Sequence, residues 1–436
     1  MKKILKFFFL CFLIIFPKTS IASLYFAVEG AAQQHEKIKV LSLIIGEDKT
    51  LNKLAKTIKF DLEFTDQLDV ELKKTPEQLN KEAENKLFKT GIGLCLYINK
   101  IRESVIKVST KDLSNNKNVF EKEFEINNQN ITFLGHKISN EILPILTGEK
   151  GISLSSLAFC KQLGPKHKTI CVADYSCKYQ VPVVNTKTIN TAPCWHSKAP
   201  VLFFSQFTRT NNRLMSVDLK DKKQKIICSY DGLNMQPSFS PEGTRAVMCL
   251  SGGKNSELYL YDCNLCKKMG KRVFVQLTKN KGNNASPCLL PDGNIVFCSD
   301  FQSGLPQIYY LDRKKNMTFR LTNGQGYCTA PCYCSKNNSI VYNRVVNHTF
   351  QLFTLNLDDL DKLQEKQITF NEGDKHEPSY SKCGRFIAFS YDYYDQKHNK
   401  NTQIAVLNCN SGRIRILTNG KEAKSFPRWG KKPFYI

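Results

Sequence analysis

A proline that recurs through the second half of the chain is the feature that most constrains the fold. Six prolines stand 44 to 50 residues apart, and in each case the second residue after the proline is aromatic or leucine. They are Pro193, Pro237, Pro287, Pro331, Pro378 and Pro427. A period of this length indicates an array of one repeated supersecondary unit, because each unit buries its apolar face against the next.

Each repeat contains the signals for four short strands. The proline belongs to the first strand, and a turn such as Pro241-Glu242-Gly243 follows, in which glycine supplies the positive φ. An apolar second strand comes next, as in Ile295–Ser299, and a third resembles Glu257–Asp262. A fourth ends the repeat, as in Gln276-Leu277-Thr278. Four strands in about 47 residues is the period of a β-propeller blade.

The two ends of the repeat region complement each other. The last repeat stops soon after Trp429 and supplies one strand, whereas residues 155–187 have the character of a second, third and fourth strand. We therefore expect the last blade to be shared between 155–187 and 426–430, which closes the ring without a free sheet edge. The predicted fold class is an α/β N-terminal domain followed by an all-β six-bladed β-propeller over residues 151–436.

Residues 23–150 do not repeat, and they alternate strand and helix patterns. Ile38–Ile45 is predicted to be a buried strand, and a helix follows in which Leu51, Leu54, Ile58 and Leu62 share one face. A capping sequence, Thr75-Pro76-Glu77-Gln78, predicts a second helix to about Leu87. Further strands are expected at 91–99, 104–109 and 119–126, with a last helix at 132–146. These patterns predict a small α/β domain.

The first 22 residues have the pattern of a secretory signal. A basic start at Lys2, Lys3 and Lys6 precedes an apolar run at 7–16, and small residues at Ser20 and Ala22 predict cleavage after Ala22. A retained membrane anchor is the weaker alternative, because the apolar run is shorter than the roughly 20 residues needed to cross a bilayer. No later segment is long and apolar enough to span a membrane. We expect a soluble protein in an exported compartment.

The charge of the chain does not indicate a nucleic-acid-binding protein. Lys and Arg together number 63 against 39 Asp and Glu, which gives a formal net charge of +24. Only 12 of the basic residues are Arg, the residue that makes bidentate contacts to bases and phosphates. We interpret the dispersed lysines as a solvated surface with a weak, salt-sensitive attraction to acidic partners.

Of the 17 cysteines, all but Cys11 follow the predicted signal. An even number in an oxidising compartment permits disulfides, but their connectivity cannot be deduced. Cys194, Cys288 and Cys332 each follow a repeat proline, and a role as small buried apolar residues explains this position as well as a role in disulfides does. The CxxC pair Cys263 and Cys266 falls in a predicted hairpin tip. Without a second pair or nearby histidines, a local disulfide or free thiols are favoured over metal or redox chemistry.

This combination of signal, small α/β domain, six blades and an abrupt end resembles the TolB family, the periplasmic propeller proteins of the Tol-Pal system. The residues that carry the resemblance are the blade pattern, the junction Leu146-Thr147-Gly148-Glu149-Lys150-Gly151 and the terminal Phe426-Pro427-Arg428-Trp429. The many cysteines and the weak turns at 195–198 and 333–336 depart from the family pattern.

The resemblance implies a non-enzymatic adaptor that links the inner-membrane Tol complex to the peptidoglycan-associated lipoprotein Pal. Such an adaptor acts in outer-membrane integrity and in constriction during division, as a monomer without a cofactor. The family binds the inner-membrane protein TolA through the segment after the signal, and an ordinary frayed terminus is the alternative. That segment comprises Leu24, Tyr25, Phe26, Ala27, Val28, Glu29 and Gly30. Its alternation suits the addition of a strand to a partner's sheet.

The Pal site is expected around the central channel. The innermost strand of each blade lines the channel, so the two residues before each repeat proline should form a ring at the start of these strands. We name these residues the channel ring: Thr191, Ala192, Met235, Gln236, Ala285, Ser286, Thr329, Ala330, His376, Glu377, Ser425 and Phe426. Met235, Gln236, His376 and Glu377 are the members best able to reach a partner. The alternative is that the ring only shapes the start of each strand.

An enzymatic role is the competing hypothesis, because propellers also accompany serine hydrolases. The nucleophile-elbow pattern Gly-x-Ser-x-Gly fails in Gly151-Ile152-Ser153-Leu154-Ser155, which lacks the final glycine. The chain ends about seven residues after Trp429, which leaves no space for a hydrolase domain. No metal site is predicted, since His35-Glu36 lacks a second histidine and 358–361 lacks the glycine of a calcium loop. A hydrolase or ligand-binding activity in the channel remains the alternative function.

Overall fold

The computed structural model describes residues 37–430 except for 46–47, 76–78, 127–130, 253–254, 325 and 395–398. The predicted signal peptide and the segment Leu24–Gly30 lie outside the described residues. The described chain forms a small α/β domain followed by a six-bladed β-propeller, so the predicted fold class is confirmed.

The α/β domain is built on a five-stranded mixed sheet in the order β2-β1-β3-β4-β5. Its strands are β1 (Ile38–Ile45), β2 (Leu68–Thr75), β3 (Ile92–Arg102), β4 (Val105–Asp112) and β5 (Lys117–Glu125). Its helices are α1 (Lys49–Glu63), α2 (Lys81–Lys89) and α3 (Ile131–Thr147). The apolar faces of α1 and α3 pack on one side of the sheet, and the segment around α2 packs on the other.

The helix predicted at Thr75 is wrong in its start. Thr75 is the last residue of β2, which pairs in parallel with β1 from Leu68 to Thr75. The helix begins later, because Asn80 provides the cap: its Oδ1 accepts a hydrogen bond from the backbone N–H of Ala83 at 2.8 Å. Strand β2 itself was not predicted, since its exposed, lysine-rich half hides the alternation of its buried half.

The propeller begins with three strands that precede the first complete blade. These are β6 (Ser156–Gly164), β7 (His167–Asp174) and β8 (Gln180–Pro182). Blade one contains β9 (Ile189–Trp195), β10 (Val201–Phe207), β11 (Asn212–Asp218) and β12 (Gln224–Cys228). Blade two contains β13 (Asn234–Phe239), β14 (Arg245–Leu250), β15 (Glu257–Asp262), helix α4 (Cys263–Met269) and β16 (Phe274–Gln276).

Blades three to five repeat the same antiparallel order. Blade three contains β17 (Asn284–Leu289), β18 (Ile295–Ser299), β19 (Gln307–Asp312) and β20 (Met317–Arg320). Blade four contains β21 (Cys328–Cys334), β22 (Ser339–Val346), β23 (Thr349–Asn356) and β24 (Glu365–Gln367). Blade five contains β25 (Asp374–Tyr380), β26 (Phe386–Tyr394), β27 (Lys400–Asn408) and β28 (Ile414–Ile416).

The sixth blade joins the two ends of the propeller. The last strand, β29 (Lys424–Gly430), pairs antiparallel with β6, and β6 continues into β7 and β8. Trp429 packs against the cluster that contains Phe159 and Phe386, so the closing strand contributes to the core between blades five and six. Among the sixteen cysteines in the described part of the chain, none forms a disulfide.

Candidate partner-binding site on the channel

The channel ring lies inside the innermost strands and not at their first residues. Strand β13 begins at Asn234, which already pairs with Leu250, and Gln236 is the third residue of that strand. The pairing starts earlier than expected because the residue three before each proline belongs to the ladder. Each of the twelve ring residues is buried or half-buried.

The residue directly before each repeat proline has a left-handed backbone. Its φ lies between 49° and 56° in all six copies, and the copies are Ala192, Gln236, Ser286, Ala330, Glu377 and Phe426. The ladder to the second strand shifts register at the same place in each blade. Proline cannot donate to a ladder, and a bulge removes the demand for its N–H. The ring is therefore six copies of one bulge.

Two ring side chains connect neighbouring blades. Gln236 Oε1 accepts the backbone N–H of Ser286 at 2.9 Å, and Ser286 is the corresponding residue of the next blade. Glu377 Oε2 accepts the N–H of Phe426 at 3.3 Å and the hydroxyl of Ser390 at 2.5 Å. Both side chains therefore hold the bulge of the following blade. The structure gives these two ring members a structural role, in line with the alternative that the ring shapes the start of each strand.

The ring side of blade five carries a group of charges around His376. His376 and Asp374 are two residues apart on β25, and Asp374 pairs directly with Asp392 on β26. One donor atom from each of the three lies within 4.8 Å of the other two, an arrangement that could hold a cation. Lys400 already places its ammonium 2.8 Å from Asp392 Oδ2, so part of the negative charge is neutralised by the chain itself. This group is not evident from the sequence, because Asp392 and Lys400 lie on other strands than Asp374 and His376.

A second polar ring, three residues before each proline, supports the bulges. Its members are Asn190, Asn234, Asn284, Cys328, Lys375 and Lys424, and all are buried. Lys375 Nζ donates to the carbonyls of Asn371, Glu372 and Gly373 in the loop that joins blades four and five. Burial lowers the pKa of Lys375 to about 8. The signal for this ring was present in the sequence as a recurring polar residue at a fixed distance from the proline.

The residues directly after the prolines also bind the neighbouring blade. Ser238 Oγ accepts the N–H of Leu289 at 2.9 Å, and Ser379 Oγ accepts the N–H of Trp429 at 3.1 Å. The thiols of Cys194 and Cys288 occupy the same position and donate to the carbonyls of Pro237 and Pro331 at 2.8 and 2.9 Å. These cysteines act as small hydrogen-bonding residues, which explains their place after the proline.

The α/β domain is docked on the opposite face of the propeller. The loops that join successive blades lie on the face where the innermost strands begin, and the turns between strands one and two and between three and four lie on the other. We name the latter the turn face. Asp66, after α1, accepts hydrogen bonds from Asn408, Ser411 and Arg415 in or beside the outer turn of blade five. Arg415 beside it lowers the pKa of Asp66, against an opposing effect of burial.

A buried polar cluster fixes the same domain contact. His136 Nδ1 lies 2.8 Å from Asp61 Oδ2 within the α/β domain, and Tyr175 of the propeller donates its hydroxyl to Asp61 Oδ1 at 2.6 Å. His136 Nε2 lies 3.5 Å from Asp174, also on the propeller. Burial alone would lower the pKa of His136, but Asp174 and Asp61 raise it to about 9. The imidazole is therefore a cation between two carboxylates at neutral pH.

The other predicted site, Leu24–Gly30, cannot be placed because it lies outside the described residues. Within the ranges that the structure does describe, no helix is both long enough and apolar enough to cross a membrane. The CxxC pair lies in the connection between the paired antiparallel strands β15 and β16, as predicted, and this connection contains the seven-residue helix α4.

Known proteins resemble this chain in both sequence and fold. A family model described as the TolB beta propeller domain matches residues 144–432. The Tol-Pal system protein TolB of Francisella tularensis subsp. mediasiatica is 26% identical over 299 residues, which cover 67% of this chain and 56% of that protein. The Helicobacter pylori protein of the same name is 26% identical over 243 residues, covering 53% and 55%. The chain thus matches about half the length of these curated relatives.

A solved structure extends the similarity to the α/β domain. The crystal structure of TolB from Acinetobacter baumannii has a TM-score of 0.76 with 20% sequence identity, and the match covers 90% of this chain and 96% of that one. At this identity the match shows a shared fold.

Proposed function

Because the chain belongs to the TolB β-propeller family, we propose that it is a non-enzymatic periplasmic adaptor of the Tol-Pal system. It would link the lipoprotein Pal to TolA and the inner-membrane Tol complex, and so serve outer-membrane integrity and constriction during division. Residues 1–22 would direct export and be removed after Ala22.

The observation that carries the proposal is the separation of the two faces of the propeller. The hydrogen bonds between the α/β domain and the propeller go to the turns of blades five and six. The channel ring starts from the other face, where six bulges of one shape surround a recess. A recess with recurring backbone geometry and varied side chains suits the binding of a protein loop, and we assign Pal to it.

The best test of this assignment uses ring members whose side chains make no hydrogen bond to another blade in the described part of the chain, although the ring of His376 packs against Phe350 of blade four with ring centroids 4.7 Å apart. Ser425 is half-buried and precedes the bulge of blade six, and His376 occupies the equivalent place in blade five. We expect Ser425→Arg to weaken Pal binding at least tenfold, about 1.4 kcal/mol, because the guanidinium obstructs the recess. His376→Ala should weaken binding by removing a side chain that can reach the partner.

The matched control is Lys314→Glu, an exposed position in the outer turn of blade three on the turn face. Affinity for purified Pal is measured by calorimetry, and circular dichroism verifies the fold of each variant. Equal affinity of both ring variants and the wild type would place the Pal site elsewhere, and a loss confined to Lys314→Glu would move it to the turn face.

The TolA site is assigned to the segment Leu24–Gly30. A mature protein that lacks this segment should retain Pal binding and lose TolA binding, because strand addition depends on the backbone of that segment. Binding of both partners by the shortened protein would contradict the assignment. A pull-down from detergent-solubilised envelopes with mass spectrometry tests the adaptor role as a whole, and recovery of neither Pal nor a Tol membrane protein would count against it.

A further inference from the structure

Two cysteines on the turn face of blade two form a pair that the adaptor role does not use. Cys263 and Cys266 lie one turn apart on helix α4, and both are partly exposed. Nine of the sixteen described cysteines are buried. Cys332 and Cys334 are also close in sequence, but they lie on one strand with Tyr333 between them. Two cysteines at positions i and i+2 of a strand have parallel side chains whose Cβ atoms are too far apart for a disulfide of ordinary geometry.

The helix brings the two cysteines within bonding range. Residues three apart on an α-helix have Cα atoms about 5 Å apart, from the rise of 1.5 Å per residue and the 3.6-residue turn. Disulfides form across Cα separations of about 4.4–6.8 Å. Residues three apart lie on the same face of an α-helix, so the side chains of Cys263 and Cys266 project from the same side of α4.

The surroundings distinguish the two sulfurs. Cys266 Sγ accepts a hydrogen bond from the backbone N–H of Val273 at 3.2 Å and lies 3.7 Å from the carbonyl oxygen of the same residue. Cys263 instead lines a cavity of about 180 Å³ whose walls include the rings of Phe203, Phe239 and Phe274. One sulfur is therefore held by the backbone, and the other borders an open apolar space that an incoming group can enter.

We propose that Cys263 and Cys266 are a thiol–disulfide exchange site, with Cys263 as the attacking and Cys266 as the resolving residue. The co-reactant is a disulfide, either a protein disulfide with an apolar side chain beside it or a small-molecule disulfide such as oxidised glutathione. The cavity next to Cys263 leaves room for the sulfur under attack and its neighbours.

The exchange balances in two steps. The Cys263 thiolate attacks one sulfur of the co-reactant, its S–S bond breaks, and the first co-reactant thiol leaves while a mixed disulfide forms at Cys263. The Cys266 thiolate then attacks Cys263 Sγ, which closes the Cys263–Cys266 disulfide and releases the second thiol. The dithiol loses two electrons and two protons, and the co-reactant disulfide gains them. The reverse sequence transfers the disulfide to a reduced partner.

The test follows the redox state of each cysteine in the full mature chain. The protein is equilibrated with mixtures of reduced and oxidised glutathione or with an oxidised CxxC oxidoreductase, quenched in acid, alkylated and analysed by peptide mass spectrometry. We expect Cys263 and Cys266 to lose alkylation together, as one disulfide. Faster reaction with the oxidoreductase indicates a protein co-reactant, and faster reaction with glutathione indicates a small thiol.

Single substitutions then test the two roles. Cys266→Ser should accumulate a mixed disulfide at Cys263, because the resolving thiol is gone, and Cys263→Ser should form the adduct at Cys266 at least tenfold more slowly. Cys409→Ser, at an exposed cysteine of blade five, is the matched control and should leave the pair unchanged.

Two results would overturn the proposal. One is a pair that stays fully alkylated at the most oxidising ratio while the denatured chain is oxidised under the same conditions. The other is an adduct that forms on Cys409 and not on Cys263 in Cys266→Ser. Pal affinity is no part of this readout, so failure here leaves the adaptor proposal untouched.

Discussion

The residue before each repeat proline holds a backbone angle that few side chains tolerate. Positive φ is uncommon outside glycine and is least compatible with β-branched residues. The six residues at this position include two alanines, a serine and a phenylalanine, and none of the six is β-branched. The position therefore restricts side-chain shape through the backbone, independently of any partner that the ring binds.

This restriction predicts opposite effects for two substitutions of Ala330, whose φ is 53°. Ala330→Val should lower the free energy of unfolding by about 1–3 kcal/mol, because a β-branched side chain is strained in this region. Ala330→Gly should be neutral or mildly stabilising, since glycine adopts positive φ without strain. Urea denaturation of both variants checks the prediction. Equal stability of the valine variant and the wild type would show that the bulge relaxes at no cost.

The buried His136 predicts how the domain contact depends on pH. The folded-state pKa of His136, about 9, lies above its ordinary value of 6.5. A raised pKa means that the folded state binds the proton more tightly than the unfolded state. The contribution of His136 to the free energy of unfolding is therefore complete below about pH 6.5 and is lost as the pH rises through 9. The shift corresponds to about 3 kcal/mol.

The measurement compares wild type and His136→Gln by chemical denaturation between pH 6 and 10. The stability difference between the two should shrink over the upper half of this range. Lys375 also titrates there with a lowered pKa, but it is common to both proteins and cancels in the difference. A difference that stays constant with pH would mean that His136 is uncharged at neutral pH.

At the scale of the strand, blades two to five close their loops with the same small set of polar bonds. The threonine of the fourth-strand motif donates to a glutamine or glutamate at the start of the third strand. Thr322 Oγ1 bonds Gln307 Oε1 at 2.7 Å, Thr369 bonds Gln351 at 2.7 Å, and Thr418 bonds Gln403 at 2.8 Å. The same hydroxyl accepts a backbone N–H of the third strand, as Leu352 shows at 2.8 Å. The repeated threonine in the sequence therefore marks a buried hydrogen bond between the end of the fourth strand and the third strand.

Lys375 tests a second set of bonds in the loop that joins blades four and five. Lys375→Met removes the ammonium from three carbonyls, of which those of Asn371 and Glu372 keep Gln351 Nε2 and Tyr391 Oη as donors and that of Gly373 loses its donor. We expect a loss of about 1–3 kcal/mol in the free energy of unfolding. Lys375→Gln keeps two N–H donors and should lose less. The matched control is Lys366→Met on the exposed edge strand β24, where a change within about 0.5 kcal/mol is expected. Equal stability of Lys375→Met and the wild type would show that water replaces the ammonium.

At the scale of the molecule, the propeller ring depends on one strand from the end of the chain. Strand β29 pairs with β6, and Trp195 of blade one donates its indole N–H to the carbonyl of Arg428 on β29 at 3.0 Å. Strand β29 is thus hydrogen-bonded both to the next strand of the sixth blade and to blade one. Without β29, the edge of β6 and the apolar residues that Trp429 covers would be exposed to solvent.

Deletion of residues 426–436 should therefore lower the melting temperature markedly or cause aggregation. The control is a truncation after Gly430, which keeps all of β29 and should melt close to the full mature protein. Differential scanning calorimetry and light scattering measure the two outcomes. If the longer deletion melts like the wild type, ring closure through β29 does not stabilise the propeller.

The repeat, the four strands of each blade and the fold class are all predictable from the sequence. These follow from local patterns: alternating apolar residues, turn residues at fixed offsets and a proline with a constant period. The face of α1 was predictable for the same reason, since Leu51, Leu54, Ile58 and Leu62 are spaced for one buried stripe. Asn80 as the true cap of α2 was missed because Thr75-Pro76 gave a stronger local signal.

Tertiary structure alone decided which ring residues are occupied in holding the molecule together. Gln236 and Glu377 were predicted to bind a partner. Their side-chain oxygens instead accept hydrogen bonds from backbone N–H groups that lie 50 and 49 residues away in the next blade. The positive φ before each proline, the His136 cluster and the charges around His376 likewise depend on residues that are distant in the chain. Such contacts form when strands, blades and domains pack together. Local sequence patterns do not show which distant residues come into contact there.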